Sequence, residues 1–472
     1  MERTLLLSVT ACAFSVTIFA QKPATPIVLT AEAREKSDSY NAPFIGNERI
    51  YRIGYSGAIN QNKPNVAYVM RLDGGSPTAE VIVAKPSIPG VVISNTYFYF
   101  KDKPWGIFQG WDKETGKVSL FAQAYDPDSF AANGAPFPIG TVPLDAGSYR
   151  GVPLRMETYP SPDQSKLLIY FDGIQSGNIK LAMCWVMDDA MQPVWNGMYR
   201  LPVQAYGAET NVNFFNDGQV AVDVEAIVLD ADNTREKSDG SVSAKVDKSY
   251  INNRSITLYV LHGETFLMWD GEFPNGVQAE NAKLLNLDGV WHFLASTVTG
   301  KGKERRAEWI VGTMDGSFEP AETARGNGGS TKILVDEKGA FYNIADGTVM
   351  KVTKLDVSGQ ILWEHSAPFG KGYDFRSVNG RLVNYFQASK SSLENLSDGK
   401  EAKADANVYV SLPVLAVWDE GKRSVFSLLS KESDYKEATS VVHFSTMGPQ
   451  GILLDTYRQK GPSTTLVPIV WE

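Results

Sequence analysis

The chain reads as an all-β protein, a β-propeller of six to eight blades with seven as the central figure. Two observations support this. A strand, a tight Asp/Gly turn and a second strand recur from Ala67–Val83 to Val414–Leu429. No long segment between them keeps a helical period. Repeated antiparallel hairpins at roughly 40–75-residue spacing are the pattern of a blade array. Tandem β-sandwiches are the alternative, since they too would give many short strands.

The hairpins follow one another along the sequence. Ala67–Val83 turns at Asp73-Gly74-Gly75, Ile107–Ala122 between Asp112 and Gly116, and Leu181–Leu201 at Asp188-Asp189. Ile256–Phe273 turns at His262-Gly263, Ala307–Glu322 at Asp315-Gly316, Val349–His365 between Asp356 and Gly359, and Val414–Leu429 between Asp419 and Gly421. These residues tolerate the positive φ of a hairpin turn. Further strands are expected at Val91–Phe100, Leu167–Phe171, Val220–Val228, Leu284–Ala295, Lys332–Ala345, Arg381–Gln387 and Gly451–Tyr457. The last apolar run, Leu466–Trp471, should pair with Arg49–Tyr55 or Val66–Leu72, because a closed ring removes exposed edges. Pro468 lacks an N–H and should sit at an edge or an irregularity.

The ends carry address information. Residues 1–20 have the build of a secretory signal peptide: Arg3, the apolar run Thr4–Phe19, and an Ala20-Gln21 junction. Val9-Thr10-Ala11-Cys12 has a lipobox-like order, but the apolar run continues past Cys12, so lipid attachment there is not expected. Residues 21–48 form a polar arm in which Thr30–Lys36 could make a short helix, and residues 49–472 form the β-domain. The expected location is periplasmic, extracellular or on the cell surface. No other apolar run approaches bilayer length, so no transmembrane anchor is expected.

Composition narrows the partners. A net charge of −9 makes nucleic acid a poor ligand. Cys184 is the one cysteine outside the leader and lies in an apolar run, where a buried inert thiol is expected. None of His262, His292, His365 and His443 has metal-ligand spacing, and there is no phosphate loop and no G-x-S-x-G elbow. No cofactor or metal is therefore expected. Among carboxylates, Asp223 and Glu225 lie two apart in a strand and share a face, as an acid/base pair could. The simpler expectation is plain alternation, a strand of Val/Ala and Asp/Glu showing one polar face to solvent. Trp195 and Trp363 recur near turns and could stack on a sugar, although tryptophans there commonly pack between blades.

Two long segments break the strand pattern. Asp230–Ser249 and Lys390–Asn407 are charged and almost free of large apolar groups. Long loops are enriched in function. Arg235, Lys237 and Asp239 in the first, and Lys400, Glu401 and Lys403 in the second, are candidate partner contacts.

Ser161-Pro162-Asp163-Gln164-Ser165-Lys166-Leu167-Leu168-Ile169 resembles the strand turn of TolB- and WD40-like propeller repeats, with Gln164 in place of the usual glycine. Phe19-Ala20-Gln21 resembles the leader ends of exported Bacteroidota proteins. The resemblance implies a propeller exported to a bacterial envelope. Together these readings favour a non-catalytic protein- or peptide-binding scaffold. The alternative is a glycan-binding protein or a glycoside hydrolase with channel carboxylates.

Overall fold

The computed structural model describes residues 22–23, 27–28, 39–40, 44–46, 49–55, 65–71, 79–83, 86–142, 155–176, 179–203, 209–227, 235–236, 242–243, 254–299, 306–336, 338–345, 350–367, 373–378, 380–388, 412–419, 422–427, 438–446, 451–458 and 464–470. All secondary structure among them is β.

Two short strands, β1 (Lys22–Pro23) and β2 (Ile27–Val28), precede the first sheet. Blade 1 holds β3 (Ser39–Tyr40), β4 (Phe44–Gly46), β5 (Arg49–Tyr55), β6 (Asn65–Arg71) and β7 (Ala79–Val83). Blade 2 is β8 (Val91–Phe100), β9 (Lys103–Trp111), β10 (Val118–Tyr125) and β11 (Ala132–Val142). Blade 3 is β12 (Arg155–Pro160), β13 (Lys166–Ser176), β14 (Ile179–Asp188) and β15 (Pro193–Pro202). Blade 4 is β16 (Glu209–Phe214), β17 (Val220–Ile227), β20 (Arg254–His262) and β21 (Thr265–Trp269); a two-residue ladder of β18 (Arg235–Glu236) with β19 (Val242–Ser243) lies between its middle strands in sequence. Blade 5 is β22 (Ala279–Leu287), β23 (Val290–Thr299), β24 (Arg306–Met314) and β25 (Pro320–Asn327). Blade 6 is β26 (Lys332–Asp336), β27 (Ala340–Ala345), β28 (Met350–Asp356) and β29 (Ile361–Ala367). Blade 7 is β30 (Tyr373–Val378), β31 (Arg381–Ala388), β32 (Leu412–Asp419) and β33 (Lys422–Ser427). Blade 8 is β34 (Ala438–Thr446), β35 (Gly451–Arg458) and β36 (Thr464–Val470), completed by β1 and β2.

Eight antiparallel sheets of four or five strands therefore follow one another among the described residues, within the expected six to eight. The packing distinguishes a propeller from tandem sandwiches. In a sandwich, two sheets share one core. Here each apolar cluster lies between consecutive blades. Tyr51, Ile53 and Val69 of blade 1 meet Tyr97, Phe108 and Phe130 of blade 2. Leu167, Ile169 and Phe171 on one face of β13 meet blade 2, while Leu168 and Tyr170 on its other face meet blade 4. Similar clusters join blades 4 and 5, 5 and 6, and 6 and 7. A strand buried on both faces loses the alternation of a half-exposed sheet, and β14 shows this, with Leu181 to Met187 almost wholly buried.

Ring closure departs from the sequence expectation. β36 pairs with β35 and, on its other side, with the chain's beginning: Lys22↔Val470, Pro23↔Ile469, Ile27↔Leu466 and Val28↔Thr465. The partner is neither Arg49–Tyr55 nor the β6 region. The reason is that β5 has both edges occupied, by β6 on one side and by β3 and β4 on the other. The segment 21–48 thus supplies strands to both the first and the last blade. The expected helix at Thr30–Lys36 lies outside the described residues, as does the leader with Cys12. Pro468 falls between the two short paired stretches of β36, where the register on that edge shifts by one residue.

An antiparallel meander sends its first and third turns to one end of the sheet, and its second turn and its link to the next blade to the other. The first of these ends, the turn rim, carries several tight turns. Four of them share one geometry: 188–192, 215–219, 315–319 and 356–360. In each, the first residue's N–H donates to the fifth residue's carbonyl, and the fourth residue's N–H donates to the first residue's carbonyl. The fourth residue has positive φ: Met191 (59°), Gly218 (91°), Phe318 (63°) and Gly359 (88°). This is the three-residue hairpin with a bulge. Where an aspartate opens the turn, its carboxylate is the local template. Asp315 Oδ1 accepts from the N–H groups of Ser317 (2.8 Å) and Glu319 (2.9 Å), and Asp188 and Asp356 do the same in their own turns.

The opposite end is the loop rim. Both 228–253, between β17 and β20, and 389–411, between β31 and β32, join second to third strands. They therefore leave the ring from this same rim.

Candidate functional site

The carboxylates singled out in sequence lie on β17. Asp223 and Glu225 share one strand face, as their spacing requires, and stand opposite Asn211 and Glu209 of β16. Asp223 is 3% exposed, whereas Glu225 is half-buried. Asp223 Oδ2 accepts from Lys283 Nζ at 2.6 Å and from Asn211 Nδ2 at 2.9 Å. Lys283 sits on β22, the first strand of blade 5, and is itself buried. The pair is thus a charged pin between two blades. Removing one partner of such a pair leaves an uncompensated buried charge, at a cost of about 3–5 kcal/mol.

Two other polar groups repeat the device. Asp172 of blade 3 is paired with Lys180 at 3.0 Å and accepts from Thr210 Oγ1 of blade 4 at 2.9 Å. Asp336 of blade 6, fully buried, is paired with Lys354 and accepts from Tyr342 Oη at 3.1 Å. Lys354 Nζ donates onward to the Gly380 carbonyl of blade 7 at 2.9 Å; the same carbonyl lies 2.8 Å from Tyr342 Oη, whose single proton it shares with Asp336. Sequence reasoning missed Lys283 and Lys354. Their signal was a lysine inside an otherwise apolar or alternating strand, where a cation needs a partner.

The two tryptophans stand on different blades from Asp223 and Glu225 and from each other. Trp195, on β15, is half-buried; its Nε1 donates to the Gly218 carbonyl (3.2 Å) and its ring meets His262 edge-on at 5.7 Å. Trp363, on β29, is half-buried against Tyr342 and His365, with ring centroids at 5.9 and 5.1 Å. Trp195 thus packs across to blade 4, as tryptophans between blades commonly do, and Trp363 packs within blade 6. Asp223, Trp195 and Trp363 are not brought together by their blades, and each already has a packing or hydrogen-bonding partner.

Of the loop candidates, Arg235 lies in β18, where its backbone pairs with Ser243. Lys237, Asp239, Lys400, Glu401 and Lys403 lie outside the described residues. Cys184 is fully buried, and burial pushes its thiol well above the usual range. Among the described residues, no group of three or more His, Cys, Asp or Glu side chains is placed to hold a metal ion, and no helix is long and apolar enough to cross a membrane.

No protein-family model matches the chain, and no curated protein matches it. Solved structures do. One is a Dos1 propeller, at 8% identity and TM-score 0.37, with 95% of each chain covered. Another is Sqt1 of Chaetomium thermophilum bound to the N-terminus of ribosomal protein L10, at 11% identity and TM-score 0.42, with 92% of this chain and 97% of that one covered. A third is a puromycin hydrolase mutant, at 13% identity and TM-score 0.37, with 90% of this chain and 59% of that one covered. Likenesses this low leave activity and partners to be argued from the chain itself.

Proposed function

We propose that this propeller is an exported, non-catalytic binding scaffold that engages a protein or peptide through its loop rim. One observation carries the reading: the two longest connections within blades, 228–253 and 389–411, leave from the same end of the ring. At the other end, the described connections at 188–192, 215–219, 315–319 and 356–360 are tight hydrogen-bonded turns. A partner meeting the loop rim would find Arg235, Lys237 and Asp239 on one loop and Lys400, Glu401 and Lys403 on the other. Both loops carry mixed charge, which suits a polar interface rim. Asp223 supports a scaffold over a hydrolase, because its carboxylate is already spent on Lys283 and Asn211.

Export is part of the same proposal. Cleavage after Ala20 would leave Lys22–Pro23 intact to complete blade 8. Mass spectrometry of the mature chain should find Gln21 at the N-terminus; an acylated Cys12 would mean a lipid anchor instead.

Replacing 230–249 or 390–406 with a short Gly/Ser linker tests the binding role. The variants should unfold like the wild type but recover about tenfold less partner from native envelope extract, a loss of about 1.4 kcal/mol. Undiminished recovery with both loops replaced contradicts the proposal. So would hydrolysis of a glycan that Glu225→Gln abolishes.

A further inference from the structure

The outermost strand of a blade presents unpaired N–H and C=O groups, and proteins ordinarily protect such edges with proline, charge or brevity. Most outermost strands here follow the rule. β11 carries Pro136 and Pro138, and β15 carries Pro193, Arg200 and Pro202. β25 carries Glu322 and Arg325, β29 carries Glu364, β33 carries Lys422 and Arg423, and β7 carries Glu80. β21, Thr265 to Trp269, carries neither proline nor charge. It ends its sheet among the described residues, and Phe266, Leu267 and Met268 are 37%, 46% and 41% exposed.

The open hydrogen-bonding groups follow from the turn. β20 and β21 join through two residues, Gly263 and Glu264, with His262 opposite Thr265. In a two-residue hairpin that flanking pair is hydrogen-bonded, and bonded pairs then alternate. Leu267 and Trp269 therefore bond inward to β20, and the backbone groups of Phe266 and Met268 point out to the free edge.

Charge decides the occupant. Glu264 lies exposed at one end of β21, and Asp270 and Glu272 lie exposed at the other. No lysine or arginine occurs from Ser255 to Ala282. A second copy, paired antiparallel about Leu267, would set Glu264 against Asp270, like charge against like. We propose that β21 takes up an extended apolar peptide flanked by lysine or arginine, which adds to blade 4 as a fifth strand. Backbone bonds to Phe266 and Met268 would hold it, and the flanking acids would select its basic ends. This edge site is separate from the loop rim, and either can fail without the other.

The probe is a synthetic peptide of alternating valine and threonine with two lysines at each end, titrated against the full chain by fluorescence anisotropy. The control has aspartates at the ends. The lysine-flanked peptide should bind at least about tenfold more tightly, and the preference should shrink in about 0.5 M salt. Met268→Pro removes an outward N–H without touching the β20 ladder, and should abolish binding with little change in unfolding temperature. If that variant fails to fold, Met268→Lys places a repelling charge on the same edge and should weaken binding by at least about tenfold. Equal affinity for the two peptides, unaltered binding in the variants, or no saturable binding would each overturn the proposal. Dimerisation of the wild type that Met268→Lys abolishes would make a second copy the occupant, and would overturn it too.

Discussion

Phe318 shows how a single residue sets a local conflict between strain and burial. Its φ of 63° is a conformation that glycine adopts freely. A side chain there costs about 1–2 kcal/mol. Yet Phe318 is 2% exposed, packed in the cluster between blades 4 and 5, and burying a phenylalanine is worth about 1.5–3 kcal/mol before any cavity is counted. Burial wins, so Phe318→Gly should destabilise the protein although it relieves the backbone; a denaturant midpoint at or above wild type would show strain to dominate. Asp223 is the second test at this scale. Asp223→Ala should cost about 3–5 kcal/mol, while Asp223→Leu with Lys283→Met should recover much of that loss, because the uncompensated charge leaves with its partner. Chemical denaturation of the three variants measures both. Asp223 and Glu225 could be placed on one face from sequence because strand period alone decides that. Lys283 could not be assigned as the partner, because it is 60 positions away on the next blade.

At the scale of the element, the turns explain how much of the fold was readable. Seven Asp/Gly hairpins in the sequence correspond to paired strands in blades 1 to 7, and Asp112, Asp188, Asp315 and Asp356 each have a local task in the turn that needs no distant contact. Asp112 shows the chemistry. The Thr115 hydroxyl and then the Glu114 N–H hold its carboxyl below the usual carboxylate range, and the Ser129 hydroxyl and N–H do the same for Asp126. A carboxylate depressed in the folded state contributes stability above its unfolded pKa, which is lost as pH falls through the folded value. Asp112→Asn with Asp126→Asn should therefore lower the unfolding temperature at pH 6. The gap to wild type should close below about pH 4, where the wild type loses the same contribution. A gap that persists at pH 2 would assign the effect to something other than ionisation. The positive φ at the fourth residue of these turns was less readable, because Met191 and Phe318 stand where glycine would have announced it.

At the scale of the whole molecule, the eighth blade escaped the hairpin count for a topological reason. Its outermost strands come from the chain's beginning, so no third turn joins them to β36 in sequence. Closure by the two ends couples them energetically. Deleting 22–28 should expose the β36 edge and lower the cooperativity of unfolding, much as deleting 464–472 should, and sedimentation should show both proteins aggregating. Two monomeric deletion proteins with wild-type unfolding would mean that the ring does not depend on this seam. Cys184 offers an independent readout: buried between blades 3 and 4, it should resist thiol reagents in the native protein and react once the ring opens. Loop function was legible only as composition, since mixed charge and missing apolar residues say that a segment is solvated and not what it meets. The strand directions add which rim it leaves from. Site-specific photo-crosslinking in the native envelope tests that rim most directly, with the crosslinker at Lys237 or Lys400 on the loop rim and at Asp288 or Ser358 on the turn rim. The account predicts a shared crosslinked partner from the loop-rim positions and none from the turn-rim positions; a partner captured from Asp288 or Ser358 alone would contradict it.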